Sequence, residues 1–512
     1  MLNYDLNRST SESLYAQIYR RVREDIETGD LASGAKMPSK RKLAEHLGVS
    51  VITVEGAYRQ LEAEGYISSA PRRGFFVCEL PERAEDANIR SSQLVGPSSG
   101  SHSDRHAQLN PALQAIPSSQ QNSPNQSADP SKPSPKNLIA DFTGRSMGMG
   151  MFPYQAWAKT MRRALSSYDE RALLDASDAQ GSLVLRQAIA QHVRGFRGMD
   201  VSPDCIVIGS GAQTLYSLIV QLLGRDRAFA IESPGYPRLA RIYSSSGIDY
   251  KAIGLDEQGP IVSELESCGA EVLHCMPSHQ LPTGITTSIS RRYELLGWAG
   301  RGKEERQRYI VEDDFDCEFR MAGMPVPTLM SLDRDEHVIY ANTFTKTLGL
   351  AFRIGYMVLP KHLMEQFRDR LGFYSCTVGA LEQLTLASFI ESGAFERHVN
   401  RRRTHYRKLL SDLVDALEAS NVASSIRLHN VGAGLHFLME VDRQGDVDAF
   451  EREAARLALD RGVALSPIGR YLTGGEATRS RAAFTMNFTS LERERVGKAV
   501  DVVSGVLEEL MA

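Results

Sequence analysis

Thr343-Phe-Thr-Lys346-Thr-Leu-Gly-Leu-Ala-Phe-Arg353-Ile-Gly355 decides the fold of this chain, together with the acidic run Val311-Glu-Asp313-Asp-Phe315-Asp-Cys-Glu-Phe319 that precedes it. Lys346 is set among Phe344, Leu348, Leu350, Phe352 and Ile354. Such company implies a partly buried ammonium, which is costly unless it is paired or neutralised. A lysine in that state can condense with an aldehyde. Arg353 can fork two N–H donors onto a phosphate, and a carboxylate at a strand end can hold a pyridine nitrogen protonated. Together they describe a site for an aldehyde cofactor with a phosphate tail.

Read as one strand, the acidic run puts Asp313, Phe315 and Cys317 on one side and Glu312, Asp314 and Asp316 on the other. Carboxylates on both faces do not make an ordinary core strand. Upstream, Asp204-Cys-Ile-Val-Ile-Gly-Ser210-Gly211-Ala212-Gln213 reads as a short apolar strand and a small-residue turn. Leu215, Leu218, Ile219, Leu222 and Leu223 then recur at helical spacing. A glycine turn opening a helix offers free N–H groups to a phosphate. Pro277-Ser-His279-Gln280-Leu-Pro282-Thr283-Gly284 is a His-Gln pair before a rigid turn, and Glu232-Ser-Pro-Gly-Tyr236-Pro-Arg238 can lay an aromatic face over a ring with a guanidinium nearby.

In this order the motifs resemble the fold-type I aminotransferases, whose cofactor is pyridoxal 5′-phosphate (PLP). The resemblance implies an α/β fold with a mostly parallel sheet in an α/β/α arrangement and a small C-terminal α+β subdomain. It makes Lys346 the Schiff-base lysine and Asp313 the partner of the pyridine nitrogen. Gly211, Ala212, Gln213, Thr343, Thr345 and Arg353 stand where the family holds the phosphate. Tyr236 matches the stacking aromatic and His279 the family's Pro-x-His-Gln segment.

The other end of the chain is of a different kind. Leu14, Ile18, Val22 and Ile26 repeat every four residues up to Gly29, predicting a first helix. Pro38-Ser39 opens a second, Lys40-Arg41-Lys42-Leu-Ala-Glu-His-Leu47, stopped by Gly48. Ser50 caps a third, with Val54, Ala57, Tyr58 and Leu61 inward and closure at Gly65. Two helices joined by so short a turn predict a helix-turn-helix. Tyr66-Ile67, Pro71, Arg72-Arg73-Gly74 and Phe75-Phe-Val77 predict a wing with a basic tip.

With 59 Lys and Arg against 63 Asp and Glu, the formal net charge is −4, so the whole chain is no general polyanion binder. Locally, Lys36, Lys40, Arg41, Lys42, Arg72 and Arg73 cluster at the second helix and the wing, where phosphates flank a groove. Leu14-Tyr-Ala-Gln-Ile18, Met37-Pro-Ser-Lys-Arg-Lys-Leu-Ala44, Gly48-Val-Ser50 and Ala57-Tyr-Arg-Gln-Leu-Glu-Ala-Glu-Gly-Tyr66 resemble the GntR-type winged helix. A GntR reader joined to an aminotransferase-like domain is the arrangement of the MocR subfamily of bacterial transcription regulators. The resemblance implies contacts to an operator duplex from Lys36, Ser39, Lys40, Arg41, Ser50, Val51, Thr53, Arg72, Arg73 and Gly74. Val51 stands where that family usually has arginine. Val51, Ile52 and Thr53 suit thymine methyls better than guanine edges.

Residues 80–137, rich in Ser, Pro, Gln, Asn and Asp, cannot bury enough surface to repay ordering. They predict a disordered tether reaching on the order of 40 Å, between a DNA-binding domain at 1–79 and an effector domain at 138–512. By resemblance, that reach lets a reader dock on the partner subunit of a homodimer. At 512 residues and 42% hydrophobic content the chain exceeds one domain and can bury large cores. Cysteines 78, 205, 268, 275, 317 and 376 show no metal spacing and no secreted framework, so no metal is expected. With no signal peptide, no apolar run near ~18 residues and no internal repeat, the expectation is a reduced cytoplasmic protein, nucleoid-associated when on DNA.

Three departures from the aminotransferase pattern bear on activity. Phe315 stands for a tyrosine that donates to the cofactor ring oxygen. Ala176 stands for a tyrosine that reaches the partner's phosphate, and Thr485 for the arginine that grips a substrate α-carboxylate. Arg238, Arg479 and Arg481 are the candidate replacements for that grip. The sequence therefore leaves three readings open: a regulator that senses an amine or amino acid through Lys346, a regulator for which PLP itself is the signal, and a working aminotransferase with an appended reader.

Overall fold

The computed structural model describes residues 4, 6, 13–70, 73–79, 138–148, 150–175, 177–303, 306–321, 326–443, 445–473 and 479–512. The expected tether at 80–137, and with it Arg72 and Ala176, lies outside the described residues.

The N-terminal unit forms as its periodicity predicts. Helix α1 (Leu14–Thr28) buries Gln17, Ile18, Val22 and Ile26 and ends at Gly29, whose φ of 84° supplies the left-handed turn. Helix α2 (Lys40–Leu47) starts at Ser39, whose Oγ accepts the Lys42 N–H at 3.3 Å. Helix α3 (Val51–Ala63) starts the same way, Ser50 Oγ accepting from Thr53 at 3.1 Å. Each cap satisfies an otherwise orphaned N–H, worth about 1 kcal/mol. Strands β1 (Ile67–Ala70) and β2 (Gly74–Val77) pair antiparallel as the wing.

The large domain is built on seven strands: β3 (Ile206–Gly209), β4 (Phe229–Glu232), β5 (Tyr250–Ile253), β6 (Val272–Cys275), β7 (Tyr309–Asp313), β8 (Val338–Thr343) and β9 (Gly355–Val358). Their order is β3-β9-β8-β7-β6-β4-β5, and only β9 runs antiparallel to its neighbours. Buried on both faces, these strands read as apolar runs. Helix α4 (Leu183–Arg197) precedes β3, and α5 (Ala212–Leu223), α6 (Ile289–Gly300) and the short α7 (Thr345–Leu348) lie in the connections between strands. The long α8 (Ala394–Glu418) leads to a smaller sheet of β10 (Ile426–His429), β11 (His436–Val441) and β12 (Ala482–Asn487), which packs its own core against the final helix α9 (Val496–Met511).

The acidic run is not one strand. β7 ends at Asp313, and Cys317–Phe319 is already a tight helical turn, so the alternation expected through Cys317 stops where the chain leaves the sheet. None of its carboxylates is solvated: Glu312, Asp313, Asp314, Asp316 and Glu318 are all buried. Strand ends are where an open α/β sheet collects its ligands.

The two units share a core. Ile289 and Tyr293 of α6 join the apolar cluster of Ile18, Val22, Leu61 and Tyr66 in the winged helix.

Candidate cofactor site and nucleic-acid interface

The carboxyl ends of β3, β4, β6, β7 and β8 open onto one edge of the sheet, and β9 begins there, Gly355 lying opposite Gly209. That places the Gly211 turn, Tyr236, His279, Asp313, Lys346 and Arg353 around one cleft.

Lys346 lies on α7, whose position is fixed from α8. Arg402 donates to the carbonyls of Lys346 (2.9 Å) and Thr347 (2.6 Å), and His398 Nε2 donates to Thr347 at 2.7 Å. Lys346 is partly buried, its ammonium 5.9 Å from the centre of the Phe315 ring. Burial lowers its pKa from the ordinary lysine value; Asp316 works against that shift and Arg402 with it. A lysine so displaced is more often neutral, the form that attacks a carbonyl.

Asp313, buried at the end of β7, accepts the hydroxyl of Tyr216 from α5, and its Oδ2 is 3.7 Å from His274 Nε2. Burial and this carboxylate together push the Tyr216 phenol far up. His274 Nδ1 is held by Tyr243 at 2.6 Å. Neither Tyr216 nor His274 carries a signal in the sequence, where both sit inside apolar stretches. Tyr236, half-buried, lies near enough to Asp313 and Arg353 for both charges to act on its hydroxyl. Thr343 is buried and Thr345 partly so at the start of α7.

A Cβ built on Gly211 would meet Arg353 Nη2 at 2.9 Å, so the guanidinium lies directly across the turn that opens α5. Gly211 has φ 85° and ψ 177°, a region that essentially only glycine adopts. Ala212 and the exposed Gln213 form the first turn, and the N–H of Ser210 donates to Thr377 Oγ1 at 2.9 Å. Amine, guanidinium, helix start and strand-end carboxylate are the donor set that PLP requires, and the residues fit it.

His279 is buried in the 277–287 loop, its Nδ1 2.7 Å from Asp316, whose other oxygen accepts the Leu435 N–H at 3.3 Å. Gln280 ties the turn to β4, donating to Glu232 (3.3 Å) and to the Pro234 carbonyl (2.8 Å). Thr485 is buried on β12 and donates to the Pro282 carbonyl at 3.3 Å. Two of the replacement arginines are engaged elsewhere, Arg479 with Glu451 and Asp448, and Arg481 with Glu440. Arg238 is exposed beside Tyr236.

On the winged helix, Arg41, Lys42, Ser39 and Ser50 are exposed, and Val51 and Ile52 stand out at the head of α3 with 42% and 79% of their surface free. Thr53 turns partly inward, its hydroxyl 2.8 Å from that of Ser50. Lys40 differs from the expectation of a free phosphate ligand: its ammonium is 3.1 Å from Glu55 and 5.2 Å from the Phe75 ring centre. Lys36 and Arg73 flank Phe76 at 6.0 and 5.6 Å, and Gly74 opens β2.

Residues 14–77 match the family of bacterial regulatory proteins, gntR family, and residues 109–298 and 301–501 match aminotransferase class I and II. The chain is 34% identical over 463 residues to the HTH-type transcriptional regulator YhdI of Bacillus subtilis (strain 168), covering 90% of each. It is 29% identical over 467 residues to the probable rhizopine catabolism regulatory protein MocR of Rhizobium meliloti, covering 91% of this chain and 88% of that one. This chain belongs to the MocR subfamily of GntR-type regulators. Among solved structures, the α-aminoadipate aminotransferase LysN of Thermus thermophilus superposes with a TM-score of 0.62 at 25% identity, over 73% of this chain and 93% of LysN. As a MocR-type protein it is a DNA-binding transcription regulator with an aminotransferase-like domain, and that fold implies PLP binding. No helix among its described residues is long and apolar enough to cross a membrane, and no group of side chains among them could hold a metal ion.

Proposed function

We propose that this regulator takes PLP at Lys346 and that occupancy of the site, by PLP alone or with a primary amine, sets its affinity for an operator duplex. The observation that carries the reading is the convergence on one sheet edge of the enclosed Lys346 ammonium, the buried Asp313 carboxylate and the Gly211–Arg353 cradle. When bound, PLP supplies an aldehyde carbon and an electron-withdrawing ring. The chain's own residues do the rest. Lys346 offers an amine whose proton burial loosens, Arg353 and the first turn of α5 would hold an anion, and Tyr236 would offer an aromatic face to the ring. Asp313, which accepts the Tyr216 hydroxyl, would offer its carboxylate to the protonated nitrogen of a bound pyridine.

The amine effector is favoured over turnover by Thr485, which leaves β12 without a guanidinium in the cleft, and by Phe315, which has no hydroxyl to donate. LysN, whose structure is of a complex with a phosphopyridoxyl-leucine adduct, supports the cofactor assignment by its shared fold. A homodimer is proposed by resemblance to the fold-type I aminotransferases. The alternative is an amino-acid aminotransferase with an attached reader.

One experiment separates them. Purified protein is titrated with PLP while visible absorbance and operator affinity are followed, then offered a panel of amino acids and 2-oxo acids. Cofactor uptake with a changed operator Kd and no keto-acid product is the expected result. Steady product formation supports the enzyme, and failure to take up PLP removes both readings.

A further inference from the structure

The turn that leads from the cofactor cleft into α6 also carries the reader domain. On the cleft side, Arg292 is fully buried and donates to the carbonyls of Thr287 (3.1 Å), Pro277 (2.7 Å) and Pro327 (2.9 Å). Its Nη1 is 3.5 Å from Glu312, the residue directly before Asp313. The Thr287 N–H returns to Pro277 at 2.8 Å, closing the 277–287 loop that holds His279 and Gln280. Arg197 bonds Ser278 Oγ and Asp314, both at 2.9 Å, locking the same loop to the end of β7.

On the opposite side, the N–H of Ile289 donates to the carbonyl of Glu64 at 3.2 Å, a backbone hydrogen bond between the two domains. A Cβ placed on Gly65 would rest 3.6 Å from Ile289 Cγ2, ordinary contact distance. Ile289 and Tyr293 are both part of the reader's core. Glu64 itself is buried, accepting the Tyr19 hydroxyl at 2.6 Å and the Gln60 amide. One turn of helix therefore touches the site's strand end with one face and the recognition unit with the other.

We propose that the first turn of α6, through Ile289, Arg292 and Tyr293, is the transmission contact between the cofactor cleft and the DNA reader. Arg292 is a positioning residue whose carbonyl and carboxylate partners move with the 277–287 loop and the β7 end. Ile289 and Tyr293 pass that displacement to Glu64, Gly65 and Tyr66, which join α3 to the wing. A shift there re-aims the exposed head of α3 relative to the effector domain. This inference rests on the function proposed above and adds the route by which the site would act.

The test uses full-length protein, with PLP as the probe. Ile289→Asp removes the apolar docking without touching a residue of the cofactor site; Ile289→Ala does so more gently, should the charged variant fail to fold. Three quantities are read: PLP affinity by visible absorbance, amide exchange of peptides 56–67 and 285–296, and operator affinity with and without PLP. PLP affinity is expected to stay at the wild-type value. Both peptides are expected to lose protection together, and the ratio of operator affinities with and without PLP is expected to fall toward one. Unchanged protection of the reader peptide, or a wild-type ratio in the variants, overturns the proposal. A wild-type chain that binds PLP but shows no change in operator affinity also overturns it. A wild-type chain that takes up no PLP sinks the reading of the site instead, and the exchange data still decide the contact.

Discussion

The guanidinium of Arg353 lies across the backbone of Gly211, so that a side chain at Gly211 would begin 2.9 Å from Nη2. The glycine is there both for its φ of 85° and for the room it leaves. Gly211→Ala is expected to displace Arg353 and to strain the turn by about 1–3 kcal/mol, weakening PLP binding roughly ten-fold or more. Absorbance titration measures it. An unchanged PLP affinity in Gly211→Ala would show that the phosphate lies elsewhere.

Lys346 is tuned by opposing influences: burial lowers its pKa, and the Asp316 carboxylate raises it. Replacing Asp316 by Asn removes the opposing charge, so the amine is expected to be neutral at still lower pH. The pH profile for the rate of PLP uptake should move to the acid side in Asp316→Asn, while Lys346→Ala should give no borohydride-stable adduct at any pH. A profile that moves to the alkaline side would mean that Asp316, held by His279 at 2.7 Å, acts on the amine through structure rather than charge.

Much of this is legible in the sequence. The winged helix follows from its caps and its four-residue stripe, because local periodicity and capping set those elements. That Lys346, Asp313, Gly211 and Arg353 fall near one sheet edge is legible because they flank short apolar strands: Asp313 ends β7, Gly211 and Lys346 follow β3 and β8 closely, and Arg353 precedes β9. Three things are not. The acidic run reads as one alternating strand, but the chain leaves the sheet at Asp313, and periodicity alone does not mark where a strand hands over to a turn. Tyr216 and His274 are hidden in apolar stripes, since a buried polar group is defined by the partner that folding brings to it. The α6 contact pairs Glu64 with Ile289, distant in sequence and both unremarkable in composition.

Burial pushes the Glu64 carboxyl up to about 8 from an ordinary 4.5, against the lowering influence of the Tyr19 hydroxyl, Arg23, Arg320 and Arg292. A carboxyl whose pKa is raised on folding favours the folded state fully below its unfolded value. That contribution is lost as pH rises through about 8. The full span is worth on the order of 4–5 kcal/mol. The reader's fold should therefore lose stability between pH 4.5 and about 8. Glu64→Gln, which keeps the shape and carries no charge, should flatten that dependence. Amide exchange of α1 and α3 across this range checks it; a slope identical in Glu64→Gln and wild type assigns the effect to other groups, such as Glu232, itself raised to about 8 by burial.

The recognition surface divides by chemistry. Lys42 is exposed on α2, whereas Ile52 is the most exposed large apolar side chain among the reader's described residues, 79% free at the head of α3. A lysine reads phosphate charge, which is the same for every sequence; an isoleucine reads apolar groups in the groove, which among bases means the thymine methyl. Lys42→Ala is thus expected to weaken binding uniformly and to lower the salt slope by about 0.9 for the one phosphate released. Ile52→Ala should leave the salt slope unchanged and cost about 1 kcal/mol or more only on duplexes carrying thymine at the contacted step, the loss vanishing when uracil removes the methyl. Fluorescence anisotropy on matched thymine and uracil duplexes, from about 50 to 200 mM salt, separates the two. Equal losses on both duplexes would place Ile52 outside the groove, and with it the head of α3.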